Sequence, residues 1–396
     1  MKRLLVVSVG LAALMVGVVL AWYTVRQDRE FQRLIAAGDA ALAQDHTYGA
    51  IEAFSGALVL KRDSMLAHLK RGDTYRRRGE LPAALRDLGK AAALDSSAPR
   101  PIELLGDVNA AMGRYQRASE HYQAFLELDD RSPRVLYKLA LAHYKDGHVE
   151  QAIEPLADAV ALDERFTEAH YLLGMCLRAS GKDEAAQRAL ARAVEISPAF
   201  AAAREELADL FDRAGRRQDA LDQLEALAAL EPGRAERLVN VGLAYARWGQ
   251  TDAAILTLGR AAQRYPDEPA VYTALGQVWL DTAETRNDRV ALSKAIEALQ
   301  PTAAAATASS ETLTLYGRAM LRSGDARIAE RALLQAIGRT PVEPTAFRYL
   351  ADAAERLGHL QVERDALRRY VALAGEGDVD QATAGRLARL QQRLGV

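Results

Sequence analysis

One spacing constrains this chain more than any other feature: small residues recur every 34 positions. Gly38, Gly72, Gly106, Gly174, Gly242 and Gly276 fall on a single grid, and Ala140 and Ala208 occupy its two remaining places. Seven places later come Gly79, Gly113, Gly147, Gly181, Gly215 and Gly249, and five further on Ala84, Ala118, Ala152, Ala186, Ala220 and Ala254. Three registers kept in step mean a repeated supersecondary unit, not a string of separate domains. Each unit reads as an apolar helical pattern, a Gly-led turn and a second helix built on Ala, a bulky residue and Ala; in the third unit these are Ala118, Tyr122 and Phe125. Pro198, Pro232 and Pro266 stand where they would close three of the second helices. One helix pair cannot bury its apolar face, whereas small residues at the contacts let successive pairs stack closely, so the expected fold is all-α with a continuous core.

The pattern resembles the tetratricopeptide repeat family over residues 31 to about 376. The resemblance implies a right-handed α-solenoid of ten helix-turn-helix units starting at 31, 65, 99, 133, 167, 201, 235, 269, 310 and 344. The step from 269 to 310 is 41 residues, and Ala291, Ala295 and Ala298 restore the second-helix pattern if three residues are added before them and four after. Residues 378–396, with apolar Leu387 and Leu390, are expected to cap the last unit as a helix.

A short basic tail, residues 1–3, precedes 22 residues without a charge, 4–25. A helix of that length reaches about 33 Å, enough for a hydrocarbon core of about 30 Å, with Trp22 and Tyr23 at interfacial depth. The expectation is an uncleaved transmembrane signal anchor held in the lipid bilayer. It makes the chain a single-pass inner-membrane protein with a periplasmic solenoid; the alternatives are a cytoplasm-facing solenoid or secretion after signal cleavage. With no Pro between Met1 and Asp45, the span and the first repeat helix should be nearly continuous.

Chemistry is harder to find. The formal charge is -2, so no basic excess points to nucleic acid. Cys176 is the only cysteine, and no HExxH motif or Cys pair supports a metal site. His68 and His170 share the fourth place of their units and His143 the eleventh, which are packing places in the other units. No Gly-rich phosphate loop follows a strand. The chain is therefore expected to hold no metal or cofactor and to be no enzyme.

At 100° per residue, places 4, 7, 8 and 11 of each first helix share one face, and places 2, 5, 9 and 12 point away from it. The family resemblance makes the latter the wall of a concave groove. There the sequence places an apolar cluster, Tyr137, Leu141, Tyr144, Tyr171 and Met175, expected to be solvent-facing and to bind a protein or peptide partner. Residues 61–90 carry nine basic and four acidic residues, with Lys70, Arg76 and Arg77 on groove places as a basic patch. Glu205, Glu206, Asp209 and Asp212 supply the opposite sign, so the groove is expected to be electrically polarised. The Lys and Asn pair with which co-chaperone relatives clamp acidic tails occurs at places 5 and 9 of no unit. The functional expectation is a membrane-anchored, non-catalytic scaffold that holds an extended or helical segment of a partner in assembly of a bacterial envelope complex. The alternative is a cytoplasm-facing adaptor or regulator delivering a client to a protease or biosynthetic complex.

Overall fold

The computed structural model describes residues 2–374 and 381–394, without the side chains of residues 2–13. Among the described residues there are 21 helices and no strand. The chain divides into two compact units, residues 1–203 and 204–396.

In the first unit helices pack in consecutive pairs: α1 (Lys2–Ala43) with α2 (Thr47–Leu60), α3 (Met65–Arg77) with α4 (Leu81–Leu94), and α5 (Pro99–Ala111) with α6 (Tyr115–Leu126). Next come α7 (Pro133–Lys145) with α8 (Val149–Leu162), and α9 (Thr167–Ala179) with α10 (Asp183–Ile196). Each pair also touches the next, so neighbours stack as in a solenoid. The second unit holds α11 (Ala201–Arg213), which begins just before it, and α12 (Arg217–Leu230), joined by an Arg204–Gln223 hydrogen bond of 2.7 Å. The later pairs are α13 (Ala235–Arg247) with α14 (Thr251–Arg264), α15 (Pro269–Arg286) with α16 (Arg289–Ala304), α17 (Ser310–Ser323) with α18 (Ala326–Ala336), and α19 (Thr345–Leu357) with α20 (Leu360–Leu373). Last comes α21 (Gln381–Leu394), whose Leu390 is buried against the final pair. Residues 375–376 of the expected last repeat, and 378–380 and 395–396 of the expected cap, lie outside the described residues.

Close approach of small to large residues explains the pairing. The Gly72 backbone lies against Leu88 and the Gly174 backbone against Leu190; an added Cβ would meet Leu88 Cγ at 2.8 Å and Leu190 Cγ at 2.6 Å. Leu88, Leu156, Leu190, Leu258 and Leu333 are fully buried, each removal of such a side chain from water contributing about 1.5–3 kcal/mol. Turns between paired helices close the same way. Gly147 has φ +83°, and His148 N–H donates to the His143 carbonyl at 2.9 Å, a left-handed helix ending that a Cβ would strain. Pro198, Pro232 and Pro266 each follow the end of a second helix by two residues.

The long step is resolved differently from the sequence expectation. Gly72, Gly174 and Gly242 face Leu88, Leu190 and Leu258, but Gly276 faces Leu299, seven residues further along than that spacing gives. All seven additional residues therefore precede the packed part of α16, where three were expected. They lengthen α15 to 18 residues, end it at left-handed Asn287 (φ +51°), and let α16 run for 16.

The membrane expectation is corrected. α1 is unbroken for 42 residues, as the lack of proline implies. Among the described residues, however, no helix is long and apolar enough to cross a membrane, which overturns the single-pass inner-membrane location and the lipid bilayer partner. From Leu14 to Val25 the described apolar stretch rises only about 18 Å against about 30 Å of hydrocarbon; residues 4–13 of the expected span lie outside the described side chains.

Candidate functional site

The face of the first helices that was read as a groove wall has two main rows, and they behave differently. Place 5 was expected to point into solvent, yet Ile35, Glu103, Val239, Thr273 and Thr314 are buried there. The physical reason is that first helices of successive pairs touch, as α3 touches α5, α7 touches α9 and α13 touches α15, so that flank of the helix lies in a joint. Place 9 is never buried: Asp39 and Asp209 are exposed, and Asp73, Asp107, Leu141, Met175, Leu243, Gln277, Arg318 and Asp352 are half-buried. In the second unit Leu243 lines three hollows of about 360, 380 and 700 Å3, and Gln277 lines the latter two.

Charged residues on this face bind each other across adjacent pairs. Lys70 Nζ donates to Asp39 at 2.7 Å, and Lys138 Nζ to both Glu103 and Asp107 at 2.7 Å. In the second unit Arg237 joins Glu205 at 2.5 Å, Arg318 joins Glu284 at 2.8 Å, and Arg386 joins Asp352 at 2.8 Å. Glu103 is the centre of the first set: it is 1% exposed and also accepts from Arg100 at 2.7 Å and from Arg134 at 3.0 Å. Burial by itself raises its pKa, but the hydrogen bonds and charges of Lys138 and Arg100 outweigh burial and hold it below the ordinary carboxylate value.

This pairing changes the expected polarity. Lys70 is tied to Asp39, while Arg76 and Arg77 both reach Asp73, at 2.7 and 3.1 Å, so the basic patch carries its own counter-ions. Asp209 pairs with Arg213 at 2.6 Å, Asp212 with Arg247, and Glu205 with Arg237. Local neutralisation replaces the polarised groove read from sequence.

Places 5 and 9 of α7 and α9 bear no charge: Tyr137, Leu141, Tyr171 and Met175 occupy them. Tyr137, Leu141 and Tyr144 pack as half-buried residues against one core cluster that includes Leu136, Ala140 and Leu172. On neighbouring α9, Tyr171 and Met175 are also half-buried. The rings were expected to be solvent-facing and are half-buried. Tyr137 lies 5.1 Å from Phe166, and Tyr171 lies 4.9 Å from Phe200. Burial first, then the charge of Glu168, raises the Tyr137 phenol pKa. Phe166 and Phe200 went unread in the sequence, although each follows its tyrosine by 29 residues and stands just before the next first helix.

The arrangement offers contact surface. Cys176 is fully buried, and burial pushes its thiol up to about 11, away from nucleophilic use. No group of His, Cys, Asp or Glu able to hold a metal ion occurs among the described residues.

Against this geometry, comparison with known proteins is consistent at the level of fold. A family model described as tetratricopeptide repeat matches residues 35–99, 205–269 and 316–378, and one described as anaphase-promoting complex, cyclosome, subunit 3 matches 111–193. No curated protein matches the chain. The C-terminal part of a TPR repeat-containing protein from Cytophaga hutchinsonii aligns with a TM-score of 0.54 at 16% identity, covering 61% of this chain and 99% of that one. YrrB, a TPR protein with an unusual peptide-binding site, gives 0.43 at 26% identity over 48% of this chain and 97% of its own. MamA from Desulfovibrio magneticus gives 0.41 at 24% over 43% and 96%. The family matches support the tetratricopeptide repeat family, and the Cytophaga structure supports an all-helical, TPR-like fold.

Proposed function

We propose that this protein is a non-catalytic scaffold that holds an extended or helical segment of a partner protein along the open face of its first helices. Proteins of this repeat class are in general protein-interaction scaffolds. In this reading the chain comprises ten units starting at 31, 65, 99, 133, 167, 201, 235, 269, 310 and 344, with α21 as the cap. One observation carries the choice of site: in the first unit the earlier first helices carry ion-paired Asp39, Asp73, Glu103 and Asp107 on this face, whereas α7 and α9 present Leu141, Tyr144 and Met175 beside Tyr137 and Tyr171. Covering apolar surface is favourable, while covering the ion-paired stretches would desolvate charges. The basic patch at Lys70, Arg76 and Arg77, already paired, contributes register along the segment more than affinity.

Leu141→Asp with Met175→Asp tests the reading, because both residues lie on the never-buried row. Affinity purification should lose its main partner more than tenfold, with circular dichroism at the assay temperature showing that the doubly substituted chain remains folded. Undiminished capture would remove the site from this face.

A further inference from the structure

A cavity of about 770 Å3 lies among α14, α15 and α16, within the range of about 300–1,000 Å3 usual for ligand pockets. Its wall is mostly apolar and includes Ile255, Leu275 and Trp279. Gly259 is part of that wall, and a Cβ added there would meet nothing within 4 Å, so the space is open where a side chain would have filled it. The cavity lies beside the pair whose seven added residues move the packed part of α16 along relative to α15.

Its rim is charged in a way the face of the first helices is not. Asp267 and Glu297 are exposed on it, and among the described residues neither carboxylate has an ion-pair partner. The rim's Lys294 is exposed, with its Nζ 4.5 Å from the centre of the Trp279 ring, which shows that ring accepting a cation. Two carboxylates and one ammonium leave an excess negative charge around an apolar floor.

We propose that this cavity is a second docking site, for a partner segment that presents an apolar side chain next to an Arg or Lys. The apolar side chain enters between Ile255 and Trp279, and the basic group meets Asp267 and Glu297. The site is independent of the open-face reading, since it shares no residue with α7 or α9.

Fluorescence anisotropy with the full chain and a labelled hexapeptide, acetyl-Ala-Leu-Arg-Leu-Ala-Ala-amide, tests this against versions carrying Glu or Gln in place of Arg. The Arg peptide should bind at least tenfold more tightly than the Glu peptide. Gly259→Leu, which fills the cavity, and Asp267→Lys with Glu297→Lys, which changes only exposed groups, should each weaken it at least tenfold; Leu141→Asp should not. If Gly259→Leu fails to fold, the charge-reversed pair decides. Equal binding of the Glu peptide, indifference to the charge reversal, or no binding by any peptide overturns the proposal. So does preferential binding of dodecanoate, which would make the cavity an acyl site, or a dimer that Gly259→Leu dissociates.

Discussion

The ring of Tyr171 lies 4.9 Å from that of Phe200, tilted by 56°, and the relationship recurs one repeat earlier between Tyr137 and Phe166 at 5.1 Å and 47°. In both cases a ring on a first helix is braced by a ring just ahead of the next first helix in the chain. The tyrosines are thus part of the joint between helix pairs. A double-mutant cycle of Tyr171→Ala and Phe200→Ala in urea should give a coupling of about 0.5–1.5 kcal/mol. A coupling near zero would mean that the rings merely lie near each other.

Two glycines should respond to enlargement with opposite signs. A Cβ on Gly174 meets Leu190 Cγ at 2.6 Å, so Gly174→Leu should destabilise by about 1–3 kcal/mol or more through overpacking. Gly89 lies within α4 with nothing within 4 Å of an added Cβ, and Gly89→Ala should stabilise by about 0.5–1 kcal/mol by removing backbone freedom from the unfolded chain. Urea denaturation that moves both variants in the same direction would contradict the packing described.

Glu103 should make stability depend on acid pH. Its carboxyl is held below the ordinary value of 4.5, so its contribution is fully present above that pH and is lost as pH falls through the lower folded value. Glu103→Gln should lower stability at pH 7 by about 1–3 kcal/mol, since Arg100, Arg134 and Lys138 lose their shared counter-charge, a loss kept moderate because their exposed parts regain water. It should also flatten the loss below pH 4.5 in melts run from pH 7 to 3. An unchanged acid slope would assign that slope to other carboxylates.

Cys176, fully buried and with its thiol pushed up to about 11, should resist alkylation by N-ethylmaleimide at pH 7.5 in the folded protein and react at the free-thiol rate in denaturant. Rapid labelling of the native chain, followed by mass spectrometry, would show α9 opening locally.

Sequence by itself determined the local architecture, because its signals act over one helix pair. Gly72 and Gly174 must sit against something large, Gly147 must end a helix, and Pro198 cannot continue one. It also placed Tyr137, Leu141, Tyr171 and Met175 on a chemically distinct part of the first helices. What it could not determine is how much of each face the next pair covers. Helical angle assigns a direction to a side chain, but burial depends on the neighbouring helix, which is why place 5 is buried at Glu103 and Thr314 while place 9 remains open. Ion pairing is likewise tertiary: Lys70 and Asp39 are far apart in the chain, and only stacking brings them to 2.7 Å and cancels a patch that composition reads as basic. The cavity beside Trp279 belongs to the same class, because it lies among three helices, and the added seven residues beside it could have looped out and were instead taken up by two helices that lengthen.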